Sequence, residues 1–331
     1  MQPAILVTGG AGFIGSHIAL LLARQGYQII VIDSYRHRQS FDKPWATIYR
    51  ADYADSELLA HIFTQHRIMA VMHCAALIEV GESVKDPGAY YDNNVSKTII
   101  LLRTMVQHGV RNIIFSSSCA VYGIPETILL SEDHPKKPIS PYGQTKYMVE
   151  TILEDFNNAY GLGYVNLRYF NAAGAWPEEE LYEQHQPESH LLPLLIQAAL
   201  ESRPFTIFGN DYPTKDGTPI RDFLHVRDIA HAHCLALAHL LAGNPSDSFN
   251  LGTGEGTSIK EMIIIVEQVC HTKLTIQYGP RRPGDPAVLV ADPVKAHTIL
   301  RWQPLYSQLN FIVQSALRAE QTREDLVVLA I

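Results

Sequence analysis

Val7-Thr8-Gly9-Gly10-Ala11-Gly12-Phe13-Ile14-Gly15-Ser16-His17 decides how the rest of the chain is read. The apolar run Ala4 to Val7 before it has strand character and Ile18 to Arg24 after it has helix character, so Gly9, Gly12 and Gly15 fall at a strand-to-helix turn. The three glycines do different things. Gly9 allows the tight turn, Gly12 lets backbone approach a phosphate, and Gly15 lets the helix close onto the strand. The helix N-terminus adds N–H donors and the positive end of a dipole, a setting that suits a pyrophosphate.

Asp33 ends the second apolar run, Ile29-Ile30-Val31-Ile32. An acidic residue about 20 residues after such glycines can accept hydrogen bonds from both ribose hydroxyls of an adenosine and repel a 2′-phosphate, which favours NAD over NADP. Arg36 and Arg38 follow closely and offer the opposite preference, and a turn or capping role for Asp33 is the plainer reading.

Working outward, the 331 residues are 47% hydrophobic and 18% charged, which is enough for one extended domain or two coupled ones with a full core. A net charge of −8 argues against nucleic-acid or anionic-membrane partners, so an anionic ligand must be met by local positive groups. Cys74, Cys119, Cys234 and Cys270 are widely spaced within apolar runs and read as buried, reduced thiols, consistent with a cytoplasmic location. Neither a secretion signal nor an apolar stretch near ~18 residues is visible. His231 and His233, two apart on a helix, do not share a face, and no metal site is expected.

Strands at Ala46 to Arg50 and Ile68 to Cys74 alternate with helices, implying a Rossmann-type, doubly wound parallel α/β sheet. Asp52 then lies at a strand's carboxyl edge beside an adenine pocket, or caps the helix Ser56 to His66. Asn93 and Asn94 open the next helix as caps, with Asn94 also a candidate contact near a nicotinamide. A strand Asn112 to Ser116 leads into Ser116-Ser117-Ser118. Regular alternation weakens near Asn171, so a cofactor-binding domain is expected over 1–170, with returns near 225–251, and a smaller, partly interleaved substrate region over 171–331.

Ser140-Pro141-Tyr142-Gly143-Gln144-Thr145-Lys146 opens a helix through Phe156. Tyr142 and Lys146 share one face, so the Lys146 ammonium can lie near the phenol and favour the phenolate over its ordinary pKa of about 10. An oxidised nicotinamide adds further positive charge. Alone, a Tyr and a Lys at this spacing form a surface pair; after a serine-ended strand in a chain with a cofactor turn, they read as an acid/base set with Ser118. Ser116 and Ser117 are weaker alternatives to Ser118.

These features, together with Val80-Gly81-Glu82-Ser83, Tyr90-Tyr91-Asp92-Asn93-Asn94-Val95, Val121-Tyr122-Gly123, Arg168-Tyr169-Phe170-Asn171, the stretch from Phe208 to Asp222, and Pro280-Arg281-Arg282, resemble the extended short-chain dehydrogenase/reductase family, in its nucleotide-sugar 4-epimerase branch, over essentially the whole length. The resemblance implies NAD-dependent 4-epimerisation of a UDP-hexose such as UDP-glucose or UDP-galactose, through oxidation at C4′ to a keto sugar and hydride return to the opposite face. It implies Ser118, Tyr142 and Lys146 as catalytic residues. Cofactor contacts fall to Gly9, Gly12, Phe13, Ile14, Gly15, Asp33, Asp52, Tyr53, Asn94 and Tyr169 besides Tyr142 and Lys146. Substrate contacts fall to Asn171, His190, Leu191, Phe208, Arg221, Arg282, Asp285 and Leu289 besides Ser118 and Tyr142. It also implies a homodimer joined through helices near 90–108 and 140–158.

Three positions depart from that pattern: Ile78 in place of a lysine, His190 in place of an asparagine, and Leu289 at the family's size gate for the sugar C2 substituent. Acceptance of N-acetylhexosamines or of UDP-glucuronate is therefore open. A 4,6-dehydratase is disfavoured because Cys119 and Ala120, which follow Ser118, cannot move the required proton. A non-catalytic NAD-binding sensor is disfavoured because Tyr142 and Lys146 are both retained.

Overall fold

The computed structural model describes residues 2–36, 41–185, 187–282 and 284–329, with side chains through 323. Its centre is a seven-stranded, all-parallel sheet of β1 Ala4–Thr8, β2 Gln28–Asp33, β3 Ala46–Arg50, β4 Ile68–His73, β5 Asn112–Ser118, β6 Gly163–Tyr169 and β7 Asp247–Leu251. The strands lie in the order β7-β6-β5-β4-β1-β2-β3. Runs such as Ala-Ile-Leu-Val-Thr in β1 are buried on both faces, as a parallel sheet covered on two sides requires.

One face is covered by α1 Phe13–Arg24 and, after a long excursion, by α5 Val226–Leu241; the other by α2 Ser56–Gln65, α3 Lys97–Gln107 and α4 Pro141–Tyr160. The chain winds outward from β1 through β2 to β3, then restarts at β4 on the other side. The crevice over the carboxyl ends of β1 and β4 is thus the switch point where such sheets bind ligands. Hydrogen bonds from Gly9 N–H to Ile32 O and from Cys74 N–H to Thr8 O tie the chain leaving β1 to both neighbours.

Residues of the second region build short sheets above that crevice. Ile220–Arg221 lies between Thr257–Ser258 and Val288–Ala291, and Val288–Ala291 in turn pairs with Leu129–Leu130, which precedes α4. Helices Leu191–Leu200, Ile259–Cys270 and Leu309–Leu329 pack around their own core of Leu195, Ile207, Met262, Val266 and Ile312.

Three sequence expectations shift. The serine run is the last part of β5 rather than a segment after it, because Ser116, Ser117 and Ser118 continue in register with Leu167, Arg168 and Tyr169 of β6. Helix α4 runs four residues past Phe156 to Tyr160, ending at left-handed Gly161 with φ 66°. Asn93 and Asn94 do not cap a helix; they lie in a π-turn, Asp92–Ser96, inside continuous helix. Among the described residues, no helix is long and apolar enough to cross a membrane, and no cluster of metal-ligating side chains occurs.

Candidate active site

The glycine turn carries the geometry its sequence requires. Gly9 has φ 69°, in the left-handed region. A Cβ on Gly15 would lie 2.2 Å from Gly9 O, so α1 can approach β1 only without one, whereas a Cβ on Gly12 would meet Gly9 O at 3.2 Å and otherwise open space. No side chain caps α1 at Gly12, and the first-turn N–H groups have no intrahelical acceptor. Asp33 Oδ2 accepts from Ala11 N–H at 3.0 Å and Oδ1 from Tyr35 N–H at 2.8 Å, which locks the carboxylate beside the turn. Arg36 pairs loosely with Glu82 at 3.8 Å; Arg38 lies outside the described residues.

Asp52 is not the cap of α2. That role belongs to Asp55, whose carboxylate accepts from Leu58 N–H, while Asp52 accepts from Ala54 N–H and pairs with Lys97. The Tyr53 hydroxyl donates to Asn93 O. Asn94 accepts from Leu77 N–H at 2.8 Å and donates to Leu77 O and Thr145 Oγ1. It clamps the loop after β4 from behind, and Asn93 lines the cavity in its stead.

Ser118 ends β5, Tyr142 stands on the first turn of α4, and Lys146 follows one turn later. Ser140 caps that turn by accepting from Gly143 N–H, and Pro141 suits the first helical position. Burial pushes the Tyr142 phenol up to about 12, opposed by a hydrogen bond from Ser118. Lys146 Nζ donates to Ser116 O at 2.7 Å and lies 5.8 Å from the Tyr142 ring centre. Burial also lowers the Lys146 ammonium to about 8, which leaves it mostly charged at neutral pH.

Opposite the glycine turn, Arg221 is paired in register with Leu289, and its guanidinium donates to Asp285 Oδ1, Pro286 O and Ile220 O. Arg282 stacks over Phe208 at 4.5 Å. Burial works against a charged His190, but the hydrogen bond to Glu188 and the charges of Glu183, Glu188 and Glu79 prevail and raise it to about 9.

Most of these groups face one cavity of about 1120 Å³. Its lining includes Gly9, Gly12, Phe13, Ile14, Gly15, Asp33, Asp52, Tyr53 and Tyr169 on the glycine side, and Ser118, Tyr142 and Lys146 at the centre. Asn171, His190, Leu191, Phe208, Arg221, Arg282, Asp285 and Leu289 complete it on the far side. Of the cofactor and substrate contacts expected from sequence, Asn94 alone is behind the wall. The profile of the NAD dependent epimerase/dehydratase family matches residues 5–252. The chain belongs to that family.

It is 49% identical over 314 residues to the UDP-glucose 4-epimerase of Halalkalibacterium halodurans, covering 95% of this chain and 94% of that one. Among solved structures, the UDP-glucose 4-epimerase of Brucella ovis in complex with NAD superposes with a TM-score of 0.92 at 43% identity, covering 96% of this chain and 98% of the other. The Bifidobacterium longum enzyme in complex with NAD+ and UDP gives 0.91 at 35% identity, over 97% and 99% of the two chains. The cradle fits the dinucleotide of an NAD-dependent family: Gly12 leaves its phosphate side open, and Asp33 sits where an adenosine ribose would be read.

Sequence reasoning missed the roof of this family member's site. Glu79, from the loop after β4, accepts from Ser189 Oγ at 2.8 Å and lies 3.5 Å from His185 Nε2, so it fastens His185 and Ser189, on either side of an undescribed residue, at the cavity. The alternation of His and Glu at Glu183, His185, Glu188 and His190 was the available signal. Their partner Glu79 is more than 100 residues away, with |i−j|=110 to Ser189.

Proposed function

We propose that the chain interconverts UDP-glucose and UDP-galactose by NAD-dependent epimerisation at C4′. The observation that carries this reading is that one cavity is lined by a glycine cradle, the Ser118/Tyr142/Lys146 cluster and a pair of arginines. The named relatives point the same way. Bound NAD supplies reversible hydride acceptance at C4′ of the sugar.

The chain's own residues do the rest. Ser118 hydrogen-bonds the 4′-oxygen, and Tyr142 removes its proton as the bond to hydride weakens, then returns a proton in the second half of the cycle. Lys146, its ammonium 5.8 Å from the Tyr142 ring centre, favours the phenolate. Arg221 and Arg282 hold the pyrophosphate, with Asn171 and Asp285 as further polar contacts, so the keto sugar can turn while the nucleotide stays fixed. Leu289 borders the sugar and sets which C2 substituents fit.

The exposed Ile100 of α3 and Met148 of α4 lie on the helices that we assign to a homodimer interface, with the unpaired cysteines in keeping with the cytoplasm. The domain division is proposed near residue 170, with α5 and β7 returning to the sheet.

The test incubates purified protein separately with UDP-galactose, UDP-N-acetylgalactosamine and UDP-glucuronate and follows C4′ by NMR without added reductant. Inversion of UDP-galactose is expected, and loss of water to a 4-keto-6-deoxy sugar would instead identify a dehydratase. Tyr142→Phe should keep NAD and lose turnover on the order of 10²–10⁴-fold; near-normal turnover would remove Tyr142 from its assigned role.

A further inference from the structure

His233 is completely buried on α5, on the face of the sheet opposite α4. Its Nδ1 lies 2.9 Å from Ile229 O and its Nε2 lies 3.2 Å from Ser116 Oγ. A carbonyl oxygen only accepts, so Nδ1 carries the proton and Nε2 presents a lone pair to Ser116. Burial holds the imidazole neutral, its pKa pulled down to about 4, which preserves that tautomer.

Ser116 of β5 is bonded from both faces of the sheet at the site. Its carbonyl receives Lys146 Nζ from the α4 side, and its hydroxyl meets His233 from the α5 side. The same hydroxyl is 3.3 Å from Cys74 Sγ beyond the end of β4 and lies beside the Tyr169 phenol at the end of β6. A serine has one proton to donate, and an imidazole lone pair is a better acceptor than a thiol. Donating that proton to His233 leaves the serine oxygen as acceptor for the Cys74 thiol, which burial keeps protonated at about 11, and the Tyr169 ring centre lies 6.1 Å from that of His233. Cys74, Tyr169 and Lys146 all line the cavity, whereas His233 does not.

We propose that His233 is a positioning residue for the assigned epimerisation: by fixing the hydroxyl of Ser116 it sets the carboxyl ends of β4, β5 and β6 and the anchor of Lys146. This rests on the function proposed above. Its consequence is that a group with no access to the ligands governs the alignment of Lys146 and Tyr169, so its loss acts on the chemical step rather than on substrate affinity.

The experiment compares His233→Phe, which removes the acceptor, with His233→Gln, whose amide oxygen can reach Ser116, in the full-length protein on UDP-galactose. For His233→Phe we expect kcat to fall on the order of tenfold with KM unchanged, and for His233→Gln to restore most of it at a similar Tm. Equal losses in both variants that track Tm, or an unaltered kcat in His233→Phe, would overturn the proposal. Independently of turnover, nitrogen-15 NMR of histidine-labelled, ligand-free protein should show the Nδ1–H tautomer at His233, and Ser116→Ala should move its Nε2 resonance. An Nε2–H tautomer would also overturn it. Wild-type protein that leaves UDP-galactose unchanged would sink the assigned activity instead, and the tautomer measurement would then decide the positioning alone.

Discussion

The two walls of the cavity are made in different ways. The glycine wall is shaped by side chains that are missing and by backbone hydrogen bonds, with Gly9 left-handed, Gly15 against Gly9 O, and Asp33 held by two N–H groups. The opposite wall carries charged side chains that satisfy one another: Arg221 with Asp285, and His190 with Glu188. A ligand on the first wall finds its shape already made. On the second, a pyrophosphate held as proposed would compete with Asp285 for Arg221, so binding there would exchange an ion-pair partner.

The difference can be broken most severely at Gly15. Gly15→Val puts a branched carbon where even a Cβ would lie 2.2 Å from backbone oxygen, and backbone cannot yield as a flexible side chain would. A marked fall in Tm and loss of co-purified NAD are expected by thermal denaturation and cofactor extraction. Gly12→Ala sharpens the contrast, since its nearest obstacle is at 3.2 Å; it should fold normally and lose NAD affinity alone. If both variants folded and bound NAD normally, the steric account of this wall would fail.

On the charged wall the largest effect belongs to Arg221. Arg221→Lys keeps the charge but loses the planar guanidinium, in which one terminal nitrogen donates to both Asp285 and Pro286 O and the other to Ile220 O. With charge-assisted hydrogen bonds worth ~1.5–3 kcal/mol, KM for UDP-galactose should rise on the order of tenfold to a hundredfold while kcat changes less. A fall in kcat at constant KM would mean that Arg221 serves the chemical step rather than the nucleotide.

The same division explains what the sequence could say. Gly9, Gly12, Gly15 and Asp33 are legible because a strand-to-helix turn fixes its own backbone within a few residues, and Tyr142 with Lys146 because a helix fixes which side chains share a face. The long-range pairings are not, because Arg221 and Asp285 are 64 residues apart and Glu79 and Ser189 are 110 apart. Asn94 departs from its expected place for a local reason. Its π-turn leaves it helical but rotated toward Leu77, a displacement that capping preferences do not encode. The state of Tyr142 escapes the sequence because spacing reports neighbours and not burial, and burial is the larger influence on its phenol.

A smaller effect is expected at Asp33, where a side chain completes the backbone wall. Asp33→Ala removes the proposed acceptor for ribose hydroxyls and releases Ala11 and Tyr35 N–H. The ratio of NAD to NADP affinity, measured by titration of apo-protein, should fall on the order of tenfold. An unchanged ratio would assign the selectivity elsewhere, with half-exposed Arg36, which also lines the cavity, the first residue to test.

The mildest test is pH, and it acts on the two walls with opposite sign. His190 is raised to about 9 by Glu188, Glu183 and Glu79 against the cost of burial, above its ordinary 6.5. Its contribution to the roof is therefore complete below pH 6.5 and lost as pH rises through 9. Beneath the glycine wall, burial pulls His73 and His225 down to about 3 and His233 to about 4. The unfolded chain binds their protons first, so these residues lower stability as pH falls below 6.5. Tm measured across this range should decline on both sides, and His190→Gln should narrow the alkaline decline while leaving the acid limb unchanged. If the difference in Tm between wild type and His190→Gln stayed constant from pH 6.5 to 9, the imidazolium would not be what fastens the roof, and the link from Glu79 to Ser189 would carry that role alone.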